Sequence, residues 1–312
     1  MRLAGLTQLS KAGALLTAVF SLATIPDHLH RLLQLFAHFR FQYFVVAAIL
    51  AVVFGLLRDG RWAIGMLALA AVNAGFVVPW YVGAAPPSAA PALTVLHANV
   101  YGRNERHELL LALLRRERPD IVLVQEMRQG LALALEAMHD EYPHRLVVAR
   151  DDNFGIAAYS RVPLERIEQH ATPPNDYPSL LLRARIGSRS LTLLSTHPFP
   201  PLSRQGFAAR NRQLEAVAAM IAAMDGPVAL IGDLNTTMWA HQYEQLVATT
   251  GLRNARKGFG LLPSWPAQLP GLRIPIDHCL VSGDLEVRDI RTGAAIGSDH
   301  LPLIVTLALP EG

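Results

Sequence analysis

Cysteine is almost missing from this chain: Cys279 is the only one in 312 residues. That excludes an internal disulfide framework and any cysteine-cluster metal site. Lysine is nearly as scarce, with Lys11 and Lys257 the only two among 28 basic residues. Together with abundant alanine, this arginine bias suggests a GC-rich bacterial genome. Charge is absent from FQYFVVAAILAVVFGLL (41–57) and from WAIGMLALAAVNAGFVVPWYV (62–82). Stretches of this kind match the roughly 20 apolar residues that a membrane-spanning helix needs. Residues 93–312 show no internal repeat and no long disordered tract. An excess of either charge is also missing from residues 93–312, which carry 22 basic against 23 acidic residues. The basic pI near 9.2 therefore reports the front of the chain. Net charge gives no support to a basic nucleic-acid-binding surface.

What is present divides at about residue 93. Before it stand Arg2, Lys11, Arg31, Arg40, Arg58 and Arg61 against Asp27 and Asp59. Three membrane helices are expected near 12–25, 41–57 and 62–82, so that 1–82 forms a transmembrane region. Trp62, Trp80 and Tyr81 flank the last of them, as interfacial aromatics do. Segment 12–25 (AGALLTAVFSLATI) has the length of a signal-peptide core, but no small-x-small cleavage site follows it, and a retained helix is favoured. DHLHRLLQLFAHFR (27–40) repeats apolar residues at helical spacing, which predicts a helix lying in the membrane interface or a plain amphipathic loop helix. Arg58 and Arg61, with Arg2 and Lys11, place their segments on the cytoplasmic side, while Arg31 and Arg40 argue weakly for the reverse. Three spans then put the rest of the chain outside, as a multi-pass protein of the bacterial inner membrane with a periplasmic domain. GAAPPSAAPA (83–92) reads as an extended linker.

From 93 to 312, short apolar runs alternate with helical patterns and turn signals. Strands are expected at 93–98, 121–125, 145–149, 156–160, 180–186, 191–196, 228–231, 276–281, 285–291 and 303–309, and helices at 106–116, 129–139, 203–224 and 239–249. So many strands exceed a simple doubly wound sheet. They predict an α/β (α+β) domain with two mixed sheets packed face to face and helices outside, a four-layer α/β/β/α sandwich.

Several of these strands end in Asn, Asp, Glu or His. Asn99 ends LTVLHAN, Glu126 ends DIVLVQE and His197 ends LTLLSTH; Asp233 and Asn235 follow VALIG, Asp277 lies in IPIDHCLVS, and Asp299 and His300 precede LPLIVTLAL. Singly, each has an ordinary explanation, since Asn and Asp after a strand usually form turns and a lone His usually sits in a core. Strand ends on one sheet edge can converge, however, and together these residues would build one polar site.

Asn99, QE (125–126), NFGIAAYSR (153–161), STH (195–197), GDLN (232–235), IDH (276–278) and GSDH (297–300) occur in an order that resembles the endonuclease/exonuclease/phosphatase superfamily over essentially all of 93–312. The resemblance implies a Mg²⁺ site, with Mn²⁺ a possible substitute, built on Glu126 with Asn99 and Asp299. It implies that Asp233 activates the attacking water, Asn235 orients the phosphate, His300 paired with Asp277 stabilises phosphoryl charge, and His197 holds a phosphate oxygen near the leaving group. Such chemistry needs a positioned water, a cation over the non-bridging oxygens and neutralisation of the leaving oxygen. Tyr159 and Tyr177 are the choices for a phosphate-contacting tyrosine. The loop 258–273 is expected near the site with Trp265 in a structural role, and Arg210, Arg212 and Gln213 on a solvated helix face. The expected activity is metal-dependent phosphodiester hydrolysis, with nucleic acid or a phospholipid headgroup as substrate, the bilayer as a further partner through the N-terminal helices, and no protein partner inferred. The competing expectation is a membrane-anchored scaffold that keeps the fold without turnover.

Overall fold

The computed structural model describes residues 2–83 and 88–310; of the expected linker, 84–87 lie outside the described residues. The front region is helical: α1 (Arg2–Ala23), a 3-10 turn (Asp27–Leu29), α2 (Arg31–Ala37), α3 (Arg40–Leu56), α4 (Gly60–Val77) and a second 3-10 turn (Val78–Tyr81). Gly5–Ala23 and Gly60–Tyr81 are long and apolar enough to cross a membrane; α2 with α3 makes a third such unit only across a 63° bend. The long helices pack through small residues, Ala14, Ala47 and Ala70, around Phe54 and Met66, as helices do where backbones must approach closely. Lys11 and Asp59 pair at 2.9 Å at one end of the bundle. Toward the other end, Ser21 accepts hydrogen bonds from Asn73 and Arg40.

The single interfacial helix expected over 27–40 does not form. The segment breaks into the 3-10 turn and α2, and its polar side chains Gln34, His38 and Arg40 are buried. The physical reason is that they have partners: His38 Nδ1 bonds Thr237 Oγ1 at 2.9 Å, and Gln34 Oε1 accepts from Arg210.

The remainder runs β1 (Ala92–Asn99), α5 (His107–Glu117), β2 (Ile121–Gln125), α6 (Gln129–Leu135), β3 (His144–Val148), β4 (Ile156–Ser160), β5 (Leu164–Thr172), β6 (Tyr177–Ile186), β7 (Arg189–Ser195), α7 (Arg204–Ala222), β8 (Val228–Asp233), α8 (His241–Thr250), β9 (Arg253–Asn254), β10 (Asp277–Val281), β11 (Glu286–Thr292) and β12 (Leu303–Ala308). One six-stranded sheet has the order β11-β12-β1-β2-β4-β3, the other β5-β6-β7-β8-β10-β9. Each is mixed: β1 and β2 are parallel in the first, β7 and β8 in the second, and the other pairs are antiparallel.

Alternation along the strands builds the layers, because successive side chains point to opposite faces. Leu93 and Val95, Ile121 and Leu123, Leu191 and Leu193, Ala229 and Ile231, and Cys279 and Val281 fill the space between the sheets. Leu96, Ala98, Val122 and Val124 face the other way, under α5 and α6. Leu194, Leu230 and Leu280 lie under α7 and α8, and there Val77, Trp80, Phe41 and Phe44 of the front region join the same cluster. The four-layer sandwich is as expected, with twelve strands instead of ten. β5 escaped the sequence reading because LERIEQHAT is a largely solvated edge strand without an apolar run.

Candidate active site

The inward-facing positions stay apolar along each strand until its end, and there they turn polar together. β1 reads Leu93, Val95, His97, Asn99; β2 reads Ile121, Leu123, Gln125; β8 reads Ala229, Ile231, Asp233. β10 runs antiparallel to β8 with Asp277 opposite Asp233, so the residue that closes one strand meets the residue that opens the other. Parallel pairing sets Asn99 beside Gln125. Gln125 then ties the sheets together, accepting from Asp233 N at 3.0 Å and donating to Thr196 O at 2.7 Å. Gly232 permits this closeness, since a Cβ there would lie 2.2 Å from the Thr196 carbonyl.

Two clusters result. In the first, Asp277 lies between two imidazoles, with His300 Nδ1 donating to Oδ2 at 2.8 Å and His97 Nε2 to Oδ1 at 2.9 Å. In the second, Asn99 Nδ2 lies 3.2 Å from both Glu126 Oε1 and Asp233 Oδ2, and Gly102 N donates to Glu126 Oε2 at 2.8 Å. Asp233 Oδ2 joins the clusters: His197 Nε2 lies 3.5 Å from it and His300 Nε2 3.6 Å. Asp233 Oδ1 accepts from Asn235 N, and Asn235 Nδ2 donates to Pro198 O, both at 2.9 Å. Ser298 Oγ donates to Asn99 O and accepts from His300 N, which seats the GSDH turn against β1. Glu126 and Asn235 hold φ of 60° and 50°. Such backbone is sparsely populated for residues other than glycine and concentrates where surrounding structure fixes a functional side chain.

Charge follows from these contacts. Burial works against a charged His300, but the Asp277 carboxylate and then Asp233 outweigh it and hold the imidazole up at about 10. Burial likewise opposes ionised Asp277, yet His300 keeps it well below the usual carboxylate range. For His197, burial is the largest influence and pulls down, while Asp233 and Glu126 raise it above its ordinary value. The other histidine of IDH is different: His278 points to the outer layer, where burial and Arg256 push it down to about 3 and Nε2 donates to Thr236 O.

Glu126, His197, Asp233, Asn235, Asp299 and His300 line one cavity of about 550 Å³; Asn99 and Asp277 sit just beneath it. The structure thus gathers all eight residues singled out from the sequence. His97, the second partner of Asp277, was missed although it lies in LTVLHAN; its inward register on β1 was the available signal. Leu35 and His38 also line the cavity, and nothing local in 27–40 announces that.

Two expectations need correction. Arg210 is not solvated: it is fully buried on α7, donating to Asn235 O at 2.9 Å and to Gln34 Oε1, because the α2 segment covers that face; Gln213 is buried too, and only Arg212 is exposed. Tyr159 is buried in the cluster beneath α5 and α6, away from the cavity, because its strand position faces outward. Tyr177 stacks on Phe154 at 3.7 Å, and the tyrosine that lines the cavity is Tyr101. Trp265 is both structural and at the site, with its backbone bridged to Ile274 and Nε1 donating to Asp299 Oδ2 at 3.1 Å.

The donor set at the cavity floor is oxygen-rich, as hard divalent cations require. Among the described residues no three His, Cys, Asp or Glu side chains converge as a self-sufficient metal cage. Glu126, completed by water and substrate oxygens, fits Mg²⁺, which keeps several waters and uses few carboxylates; Asn99 turns its Nδ2 toward Glu126 while its Oδ1 accepts from Tyr101 N, so it would join as a ligand only through that oxygen.

A family model for the Endonuclease/Exonuclease/phosphatase family matches residues 96–300. No curated protein sequence matches the chain. Among solved structures, D. rerio TDP2 complexed with a single-strand DNA product is similar at 17% identity and TM-score 0.58, covering 69% of this chain and 98% of that one. Sphingomyelinase C from Streptomyces griseocarneus is similar at 20% identity and TM-score 0.52, with 69% and 99% covered. The human Nocturnin catalytic domain with bound sulfate is similar at 16% identity and TM-score 0.57, with 72% and 97% covered. At these identities the likeness is one of fold.

Proposed function

Since this chain belongs to the endonuclease/exonuclease/phosphatase family, we propose that it is a metal-dependent phosphodiesterase acting at a membrane. One observation carries the reading: His300, hydrogen-bonded to buried Asp277, faces Asp233 on the floor of a cavity that also contains Glu126.

In this reading Asp233 aligns and deprotonates a water, its carboxylate fixed by Asn99 and the Asn235 backbone. The water oxygen bonds to phosphorus, the bond to the departing alcohol oxygen breaks, and a proton returns to that oxygen, leaving an alcohol and a phosphate monoester. His300 faces the charge on the phosphoryl oxygens, His197 donates to an oxygen near the leaving group, and Asn235 orients the phosphate. A Mg²⁺ ion held by Glu126, Asn99 and Asp299, with Mn²⁺ as substitute, would supply positive charge over the non-bridging oxygens.

The membrane part of the proposal is supported by the exposed apolar side chains along the front helices, among them Leu9, Val52, Leu56 and Ile64. Three crossings put the catalytic domain at the bundle end opposite Lys11 and Asp59. With Arg58 and Arg61 at that far end, the positive-inside tendency places the domain outside the cytoplasm. The similarity to a DNA-bound TDP2 and to a sphingomyelinase offers two substrate classes, nucleic acid and phospholipid headgroup.

The test is hydrolysis of bis-p-nitrophenyl phosphate by the full chain in detergent, with Mg²⁺ or with EDTA, beside His300→Ala and Asp233→Ala. Cleavage should require the metal, and each variant should lose about 10²- to 10⁴-fold in rate with its melting temperature retained. Activity in EDTA sinks the metal assignment; near-normal activity of Asp233→Ala removes the mechanism. A folded chain that cleaves no phosphodiester would instead be the scaffold.

A further inference from the structure

The cavity has a polar floor and an apolar wall, and part of that wall comes from the membrane region. Leu35 of α2 stands with Phe199, Pro200, Pro201, Leu202 and Ile274 on the lining. Among the described residues no lysine or arginine lines the cavity, and Arg150 beside it is paired with the lining Asp152 at 2.6 Å, whereas a site that tracks a nucleic-acid backbone needs several cations.

All but Leu133 of the exposed large apolar side chains described in the catalytic domain lie at or beside this cavity. Among the described residues after 92, the exposed large apolar side chains are Tyr101, Leu133, Leu202, Leu269 and Leu272, with Leu202 78% exposed. Tyr101 and Leu202 line the cavity, and Leu269 and Leu272 lie on the segment between its lining residues Trp265 and Ile274. That segment is tied to the start of α3, where Gln42 Nε2 donates to Arg273 O at 3.0 Å. Leu29 and Leu32, beside Leu35, are exposed as well. An exposed apolar patch around a cavity, continuous with apolar helices, is a surface built to meet lipid.

Resting on the phosphodiesterase reading above, we propose that the substrate is a membrane lipid whose headgroup is joined through a phosphodiester. The phosphate reaches the floor at Asp233 and His300. The apolar remainder of the lipid stays against Leu35, Phe199 and Leu202, with the loops at 202 and 269–272 resting in the bilayer surface. The same chemistry on a nucleic acid would meet at the rim an arginine, Arg150, whose charge is already paired with Asp152.

Full-length protein in mixed detergent micelles tests this with phosphatidylglycerol and phosphatidylethanolamine, their deacylated glycerophosphodiesters, a single-stranded oligonucleotide and bis-p-nitrophenyl phosphate. The acylated lipid should exceed its deacylated counterpart in kcat/KM by at least ~100-fold, the scale of burying a few methylenes. Leu202→Glu should lower the ratio of lipid to bis-p-nitrophenyl phosphate kcat/KM by about tenfold, and the paired Leu269→Glu, Leu272→Glu variant should lower it likewise. These side chains are exposed, so folding is not at stake. Equal rates on acylated and deacylated diesters, a preference for the oligonucleotide, or an unchanged ratio in both variants overturns the lipid assignment while leaving the phosphodiesterase standing. No cleavage of bis-p-nitrophenyl phosphate would overturn both.

Discussion

Asp277 receives hydrogen bonds from two imidazoles, and only His300 reaches the cavity. His97, 1% exposed, holds the opposite carboxylate oxygen and so fixes which way Asp277 presents its charge. The consequence is a pH limit. With Asp277 in place, His300 stays cationic until the pH passes about 10, so the alkaline fall in kcat/KM on bis-p-nitrophenyl phosphate that loss of its charge imposes should come only near that pH, while the general base sets a separate acid limb. In Asp277→Asn the largest raising influence is gone and burial, which lowers, dominates; the alkaline limb must move to lower pH and turnover at neutral pH must drop. A pH-rate profile of the two proteins decides this. An unmoved alkaline limb would mean that His300 is not the group whose charge the reaction uses.

The elements most legible in the sequence were the central strands, because burial on both faces leaves uninterrupted apolar runs such as DIVLV (120–124) and LTLL (191–194) that stop at a polar residue. Alternation then carries Asn99, Asp233 and Asp277 to one edge without any knowledge of the fold. Illegible was everything set by contact between distant segments. Arg210 looks like a helix-surface residue in RNRQLEAVAAM, and its burial is decided by α2, 176 residues earlier in sequence. Burial lowers the Arg210 guanidinium to about 9, and its bonds to Asn235 O and Gln34 are what it gains in return. Arg210→Met should therefore leave the Asn235 carbonyl unsupported, costing about 1.5–3 kcal/mol of stability, the usual worth of a hydrogen bond to a charged group. It should also lower kcat more than it raises KM, because Asn235 is displaced while the apolar wall remains. Thermal melts and steady-state kinetics read the two effects. A variant with wild-type kcat would show that Asn235 does not depend on this link.

At the scale of the whole molecule, the front region and the sandwich share one apolar cluster. Val77, Trp80, Phe41 and Phe44 pack into the layer that contains Leu230, Trp239 and Leu261, and Trp239 Nε1 donates to the Phe76 carbonyl at 3.0 Å. Gly258 N and Gly260 N both donate to Trp80 O, at 3.0 and 2.8 Å, and Asp27 Oδ2 accepts from His241 N at the start of α8. A cut at the composition boundary near residue 92 therefore passes through a packed surface and removes one wall of the cavity. The fragment 88–312 should melt below the full chain, since burying each such side chain is worth about 1.5–3 kcal/mol when complete. It should also associate through the uncovered face, and it should lose activity on bis-p-nitrophenyl phosphate because Arg210 and Thr237 lose Gln34 and His38. Differential scanning calorimetry of both forms in one detergent, with sedimentation of the fragment, makes the comparison. A fragment that is monomeric, equally stable and fully active would mean that the front helices only tether the sandwich; a weakened fragment means that the front region is part of the sandwich's own core.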